Sequence, residues 1–148
     1  MEHLVFVYGT LLSGGINHHL LAGAECLGTH RTQPCFTLVH LGAYPGLISG
    51  GHTAVFGEVY RVDATGLRTL DRLEDYPRLY GRRLVSTCFG RAWTYLYRGS
   101  VVDRPLLRSG DWREVSSASG SIRAVAVRRW RDPKNPGRRR RARSSESG

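Results

Sequence analysis

Leu4-Val5-Phe6-Val7-Tyr8-Gly9-Thr10-Leu11 is the stretch on which the reading of this chain turns. Four apolar residues in a row predict a strand over about 3–8 that is buried on both faces. It runs straight into a turn holding a phenol, a glycine and a hydroxyl, and Gly14-Gly15 follow closely. Such a turn can aim several backbone N–H groups at one ligand oxygen, because glycine permits close approach. Tyr8, Gly9, Thr10 and Leu11 are therefore a candidate cradle for a carboxylate or an amide carbonyl. Most strand–glycine turns only reverse the chain, so the reading depends on an acid or base elsewhere.

Working outward, Asn17 can cap a short helix over 18–22 that stops near Gly23. Extended segments are expected over 26–31 and 35–40, then a glycine-rich loop over 42–52 and a long β-branched and aromatic strand over 53–62. A helix over 64–76 is capped by Asp63 or Thr65 and stopped before Pro77. Segments 84–88 and 92–97 flank Phe89-Gly90 as a hairpin. The expected class is α+β, a small curled sheet or barrel, with the domain over 1–115. From 116 the serines and glycine read as a linker, and 122–130 can pair locally. The remainder to 148 is an arginine-rich tail expected to be largely disordered.

Charge supports that division. Net charge is +10 over 148 residues, but residues 1–120 carry 12 basic and 10 acidic groups, and residues 121–148 carry 10 basic and 2 acidic. The folded part is nearly neutral. The tail, with Arg138-Arg139-Arg140-Arg141, has the charge for nonspecific, salt-dependent polyanion binding. Arginine outnumbers lysine 21 to 1 and the single lysine, Lys134, lies in the tail. That excludes a folded lysine as Schiff base, P-loop residue or general base.

Cys26, Cys35 and Cys88 are odd in number and widely spaced, so they form neither a disulfide framework nor a C-x-x-C pair. Free thiols in small apolar settings are expected, which fits a reducing compartment. The six histidines show no H-x-x-x-H spacing, and no metal site is expected. No apolar run approaches membrane-spanning length and no basic leader precedes the first strand. The reading is a cytoplasmic protein with no membrane contact.

The acid is found on the helix. At about 100° per residue from Leu67, Leu70 and Leu73 share its stripe, whereas Arg68 and Arg72 lie opposite. Glu74 falls at roughly 340°, between Leu67 and Leu70. It faces either the core or a cavity, or else a frayed last turn lets it swing out to Arg78 or Arg82. Burial and the carbonyl end of the helix would both raise its pKa and suit it to proton transfer. Asp71 and Asp75 read as surface groups. Glu58 alternates with Phe56 and Tyr60 on one strand face and reads as a partner in a structural ion pair.

Together these residues resemble the γ-glutamylcyclotransferase-like superfamily, in particular the branch of γ-glutamylamine cyclotransferases and their bacterial relatives. The matching segments are Val5-Phe6-Val7-Tyr8-Gly9-Thr10-Leu11, Gly15-Ile16-Asn17-His18 and Gly57-Glu58-Val59-Tyr60. Leu70-Asp71-Arg72-Leu73-Glu74-Asp75-Tyr76-Pro77 with Tyr80 and Arg82, and Ala92-Trp93-Thr94-Tyr95-Leu96-Tyr97, complete the set in family order over about 3–115. The resemblance implies a small mixed β-barrel with flanking helices. It also implies cyclisation of a γ-glutamyl group to 5-oxoproline with release of an amine, without metal or organic cofactor. By position, turn 8–11 would bind substrate and Glu74 would be the catalytic acid/base. Asp75 departs from relatives that carry glycine after the glutamate.

Tyr80, Tyr95 and Tyr97 either line the pocket or pack in the sheet; Tyr80 and Tyr97 are taken as substrate-binding candidates. Tyr44 and His52 either cover the pocket or sit in solvent. The expected partner is a small γ-glutamyl substrate, bound by a monomer. Two other classes compete: a catalytically silent ligand-binding relative, and a nucleic-acid or polyanion binder acting through the tail.

Overall fold

A computed structural model describes residues 1–118, 141–142 and 144–147. The first strand, β1 (Glu2–Val7), is followed by β2 (Glu25–Arg31), β3 (Phe36–His40), β4 (Pro45–Ser49) and β5 (Phe56–Asp63). Then come α1 (Ala64–Leu73), β6 (Tyr80–Thr87), β7 (Gly90–Tyr97) and α2 (Trp112–Ala118). A short antiparallel pair joins Arg141–Ala142 to Ser144–Ser147. The rest of the expected tail, including 122–130, lies outside the described residues.

The main sheet has five strands in the order β2-β5-β1-β7-β6. β1 sits at its centre, antiparallel to β5 with Val5 opposite Tyr60, and parallel to β7 with Val5 opposite Trp93. A central strand is covered on both faces, and the unbroken apolar run provides for this. Val5 and Val7 join the cluster that contains Leu67 and Leu70 of α1, whereas Phe6 and Tyr8 join Leu38 and Leu47 of β3 and β4.

The α+β class is as expected, but the barrel is not closed. β3 and β4 pair with each other as a separate ribbon, and the main sheet ends at β2 and β6. Side chains, not a ladder, span the gap between those ends: the Phe89 ring lies where a side chain on Gly28 would sit, and Cys88 N–H donates to His30 Nδ1 at 3.4 Å. A bulge between Cys26 and Gly28 in β2 interrupts the register on that edge.

Three further differences have local causes. The glycine-rich loop contains β4, because Gly46 lies against Tyr97, where a Cβ would be 2.9 Å from that residue's Cβ. The segment after Asn17 is a single 3-10 turn, His18–Leu21, with no side-chain cap. Helix α2 extends three residues past the expected boundary at 115, anchored by buried Trp112 and by Asp111, whose Oδ1 accepts from Arg113 N–H at 3.0 Å. The three cysteines are all exposed, not set in apolar surroundings.

Candidate active site

At the end of β1 the chain turns tightly against the ribbon. A Cβ on Gly9 would stand 2.7 Å from Pro45 Cγ, so only glycine fits there. The internal hydrogen bonds of the turn begin further on, with Leu12 N–H donating to Gly9 O at 3.0 Å and Asn17 N–H to Thr10 O at 2.9 Å. None of them uses the N–H groups of Gly9, Thr10 or Leu11. The loop is held from both sides: Asn17 Nδ2 donates to Thr10 Oγ1 at 3.0 Å, and Ser13 N–H to Glu58 Oε1 at 2.9 Å. Glu58 also accepts from Tyr60 OH at 2.9 Å. It is thus buried by hydrogen bonding, and not through the expected ion pair.

Glu74 is the C-cap of α1, whose N-cap Asp63 accepts from Gly66 N–H at 2.7 Å. Asp75 follows at φ 53, in the left-handed region. Its N–H donates to Arg72 O at 3.2 Å and Tyr76 N–H donates to Asp71 O at 2.9 Å, the paired bonds of a Schellman end. Glycine is the residue that takes this conformation most readily; aspartate tolerates it better than most residues. The helix therefore ends in a fixed geometry and does not fray. Arg78 pairs with Asp75 and Arg82 with Asp71, so neither of these pairs involves Glu74.

Half-buried overall, Glu74 contributes to the wall of a cavity. Burial of its carboxyl, and secondarily the nearby Asp71 carboxylate, push its pKa up to about 8. Asp71 is not the surface group expected from its helical angle. Its carboxylate takes a bidentate pair from Arg82, with Nε at 2.9 Å and Nη2 at 3.2 Å, and accepts from Tyr95 OH at 2.8 Å. The Arg82 guanidinium lies 4.5 Å from the Tyr76 ring centroid and 4.4 Å from that of Trp93.

The cavity has two compartments. The outer one, about 210 Å³, is lined by Thr10, Ile16, Asn17, Ala43, Tyr44, Leu73, Glu74, Leu79 and Tyr80. The inner one, about 30 Å³, is lined by Tyr8, Gly9, Thr10, Leu11, Pro45, Tyr95 and neighbours. Thr10, Tyr44, Glu74 and Tyr80 are common to both. Turn 8–11 and Glu74, about sixty residues apart in sequence, thus meet at one opening.

The tyrosines divide. Tyr8 OH donates to Tyr95 O at 2.8 Å and accepts from Leu47 N–H at 3.3 Å, tying β1 to β7 and β4. Tyr80 OH donates to Pro45 O at 2.9 Å. Burial first, then nearby acidic groups, push both phenols well above their ordinary pKa, so they stay protonated. Tyr97 does not line either compartment; its ring packs against that of Tyr80 at 5.4 Å. Tyr44 lines both, whereas His52 is exposed and lines neither. Sequence reasoning missed Asn17 as a wall residue and Asp71 as the partner of Tyr95. The signal for Asp71 was its place one turn before Glu74, on the border of the apolar stripe.

Comparison with known proteins agrees with this architecture. Residues 5–114 match the family described as gamma-glutamyl cyclotransferase, AIG2-like. A Vibrio cholerae protein to which that activity is provisionally assigned is 50% identical over 112 residues, covering 76% of this chain and 96% of its own. The gamma-glutamylcyclotransferase family protein YtfP of Escherichia coli K12 is 41% identical over 108 residues, covering 73% and 94%. The solution structure of Escherichia coli ytfP has a TM-score of 0.62 at 40% identity, with 74% of this chain and 95% of that one covered. A crystal structure of an AIG2-like protein from Mus musculus gives 0.63 at 29% identity, covering 74% and 88%. On the strength of the family match and these relatives, the chain belongs to the gamma-glutamyl cyclotransferase, AIG2-like family.

Proposed function

We propose that this protein cyclises a γ-glutamyl group to 5-oxoproline and releases the attached amine, with Glu74 as general base and then general acid. The observation that carries the reading is the position of Glu74: an acid of raised pKa, shared by both compartments and lining the inner one together with Gly9, Thr10 and Leu11.

The substrate's α-amine is the nucleophile, and it is protonated at neutral pH. In the reading, ionised Glu74 takes a proton from the α-ammonium, and the freed amine attacks the γ-carbonyl carbon. A C–N bond forms to close the five-membered ring. The oxygen gains negative charge near the amides of Gly9, Thr10 and Leu11, which supply hydrogen bonds where the charge develops. Glu74 passes the proton it holds to the amide nitrogen and, ionised again, takes the remaining extra proton from the new ring nitrogen; that second proton leaves with the amine as an ammonium and restores ionised Glu74. The amide C–N bond then breaks and the amine departs. Substrate and products balance without water, oxidant or cofactor.

Because attack is intramolecular, the protein's main task is to hold the chain curled. General acid–base catalysis by Glu74 adds about 10²–10⁴-fold. Free cysteines support a reducing, cytoplasmic setting for the reaction.

The test is Glu74→Gln, which keeps size and removes the base. 5-Oxoproline release from γ-glutamyl amides should fall by about 10²–10⁴-fold while the folded spectrum is kept. Turnover at the parent rate would eliminate the mechanism.

A further inference from the structure

Ala43 and Tyr44 reach the cavity from loop 41–44, which joins β3 to β4 beyond the His40–Pro45 pair. Tyr44 lines both compartments, and its ring centroid stands 6.4 Å from that of Tyr80. The shape of this short loop therefore sets a wall that Glu74 shares. Two hydrogen bonds define the shape: Leu41 N–H donates to Tyr44 O at 3.0 Å, and Gly42 N–H donates to His40 Nδ1 at 3.0 Å. Gly42 lies at φ 110, where glycine is favoured.

His40 is fixed at both backbone and ring. Its own N–H donates to Pro105 O at 2.9 Å, and its ring meets that of buried Trp112 at 5.3 Å between centroids. An amide N–H only donates, so the Nδ1 that receives it carries no proton and the neutral ring keeps its hydrogen on Nε2. A second proton would set a donor against a donor, and the bond would be lost. The surroundings favour the neutral ring: burial first, and then the Arg104 guanidinium, hold its pKa below the ordinary 6.5. The Tyr97 phenol on β7 feels the same guanidinium. Asp111, beside Trp112, is engaged by Arg113. Among the described residues no carboxylate pairs with His40.

We propose that His40 is a positioning residue for the site: its uncharged ring holds loop 41–44 so that Tyr44 walls both compartments, and a proton on Nδ1 releases that wall. The placing of Tyr44 stands on the loop geometry; its effect on turnover rests on the cyclotransferase reading above. Ionisation of Glu74 governs the chemical step. Tyr44 has no part in proton transfer, so its displacement weakens binding and raises KM.

Two substitutions in the full-length protein separate acceptor from ring. His40→Phe keeps a ring on Trp112 and removes the acceptor. His40→Asn supplies an acceptor to the N–H two residues on and takes up no proton. With γ-glutamyl-methylamide at about pH 8.5, His40→Phe should raise KM at least threefold and leave kcat within about twofold, whereas His40→Asn should keep KM within about twofold of the parent. In an NMR titration towards acid, the Gly42 amide and Tyr44 ring resonances of the parent should move with the His40 imidazole, and in His40→Asn that step should vanish. Equal KM in parent and folded His40→Phe overturns the inference and leaves the cyclotransferase reading standing. So do Gly42 and Tyr44 resonances that ignore the His40 titration. Release of 5-oxoproline from neither γ-glutamyl-methylamide nor γ-glutamyl-leucine removes the cyclotransferase reading, and the titration then decides the placing of Tyr44 by itself.

Discussion

A carboxyl group remains protonated near neutrality when a dry setting, a neighbour that opposes its charge, or both disfavour its ionised form. Glu74 has the first from the cavity wall and the second from Asp71, one turn earlier on α1. Asp71 is itself kept in place by Arg82 and Tyr95. Since ionised Glu74 is the active form in the proposed reaction, kcat/KM should rise with pH through about 8. Asp71→Asn removes the opposing negative charge, so Glu74 should ionise at lower pH and the rise should move to the acid side. A pH–rate profile measured on both proteins decides this; an unmoved midpoint would disconnect Asp71 from Glu74. The inward angle of Glu74 was readable from helical periodicity alone. The role of Asp71 was only partly readable: its angle puts it on the border of the stripe, but Arg82 and Tyr95 reach it from β6 and β7, and helical phase carries no trace of such neighbours.

At the scale of elements, the end of α1 aims the site. Asp75 at φ 53 closes the Schellman pair and is followed by the bend that carries the chain to β6. Asp75→Ala should destabilise the protein by about 1 kcal/mol, since a left-handed conformation costs alanine roughly 1–2 kcal/mol and the exposed Arg78 pair adds little. Asp75→Gly should recover most of that loss. Urea midpoints for the two variants provide the comparison, and equal midpoints would argue against backbone strain at this position. The helix, β1, β5 and the β6–β7 hairpin were legible because each advertises itself locally, by period or by a turn. Strand β4 was not, since Pro45 and Gly46 look like loop residues until Tyr97 and Gly9 are brought against them. Closure into a barrel was expected from the family likeness, but the separate β3–β4 ribbon and the Cys26–Gly28 bulge leave the sheet open.

For the whole molecule, both helices and the strands of the main sheet and the β3–β4 ribbon lie within residues 1–118, and most of the net charge lies beyond residue 120. Among the described residues no helix is long and apolar enough to cross a membrane. Truncation after Gly120 retains both helices and all seven strands of the two larger sheets, and removes most of the +10 charge. The shortened protein should keep its melting temperature and turnover while losing most of its salt-dependent retention on heparin. Loss of folding on truncation would place part of the tail in the domain.

The order β2-β5-β1-β7-β6 also carries a consequence for synthesis. Of the strands in this sheet, β1 leaves the ribosome before the others, and it finishes in the middle. Its antiparallel neighbour is complete only at Asp63 and its parallel neighbour only at Tyr97. During that interval an apolar strand has at least one unpaired edge, the condition under which nascent chains associate wrongly. Made before both of its neighbours, β1 is thus among the last strands of the sheet to be enclosed, and its exposure ends only when β7 has been translated.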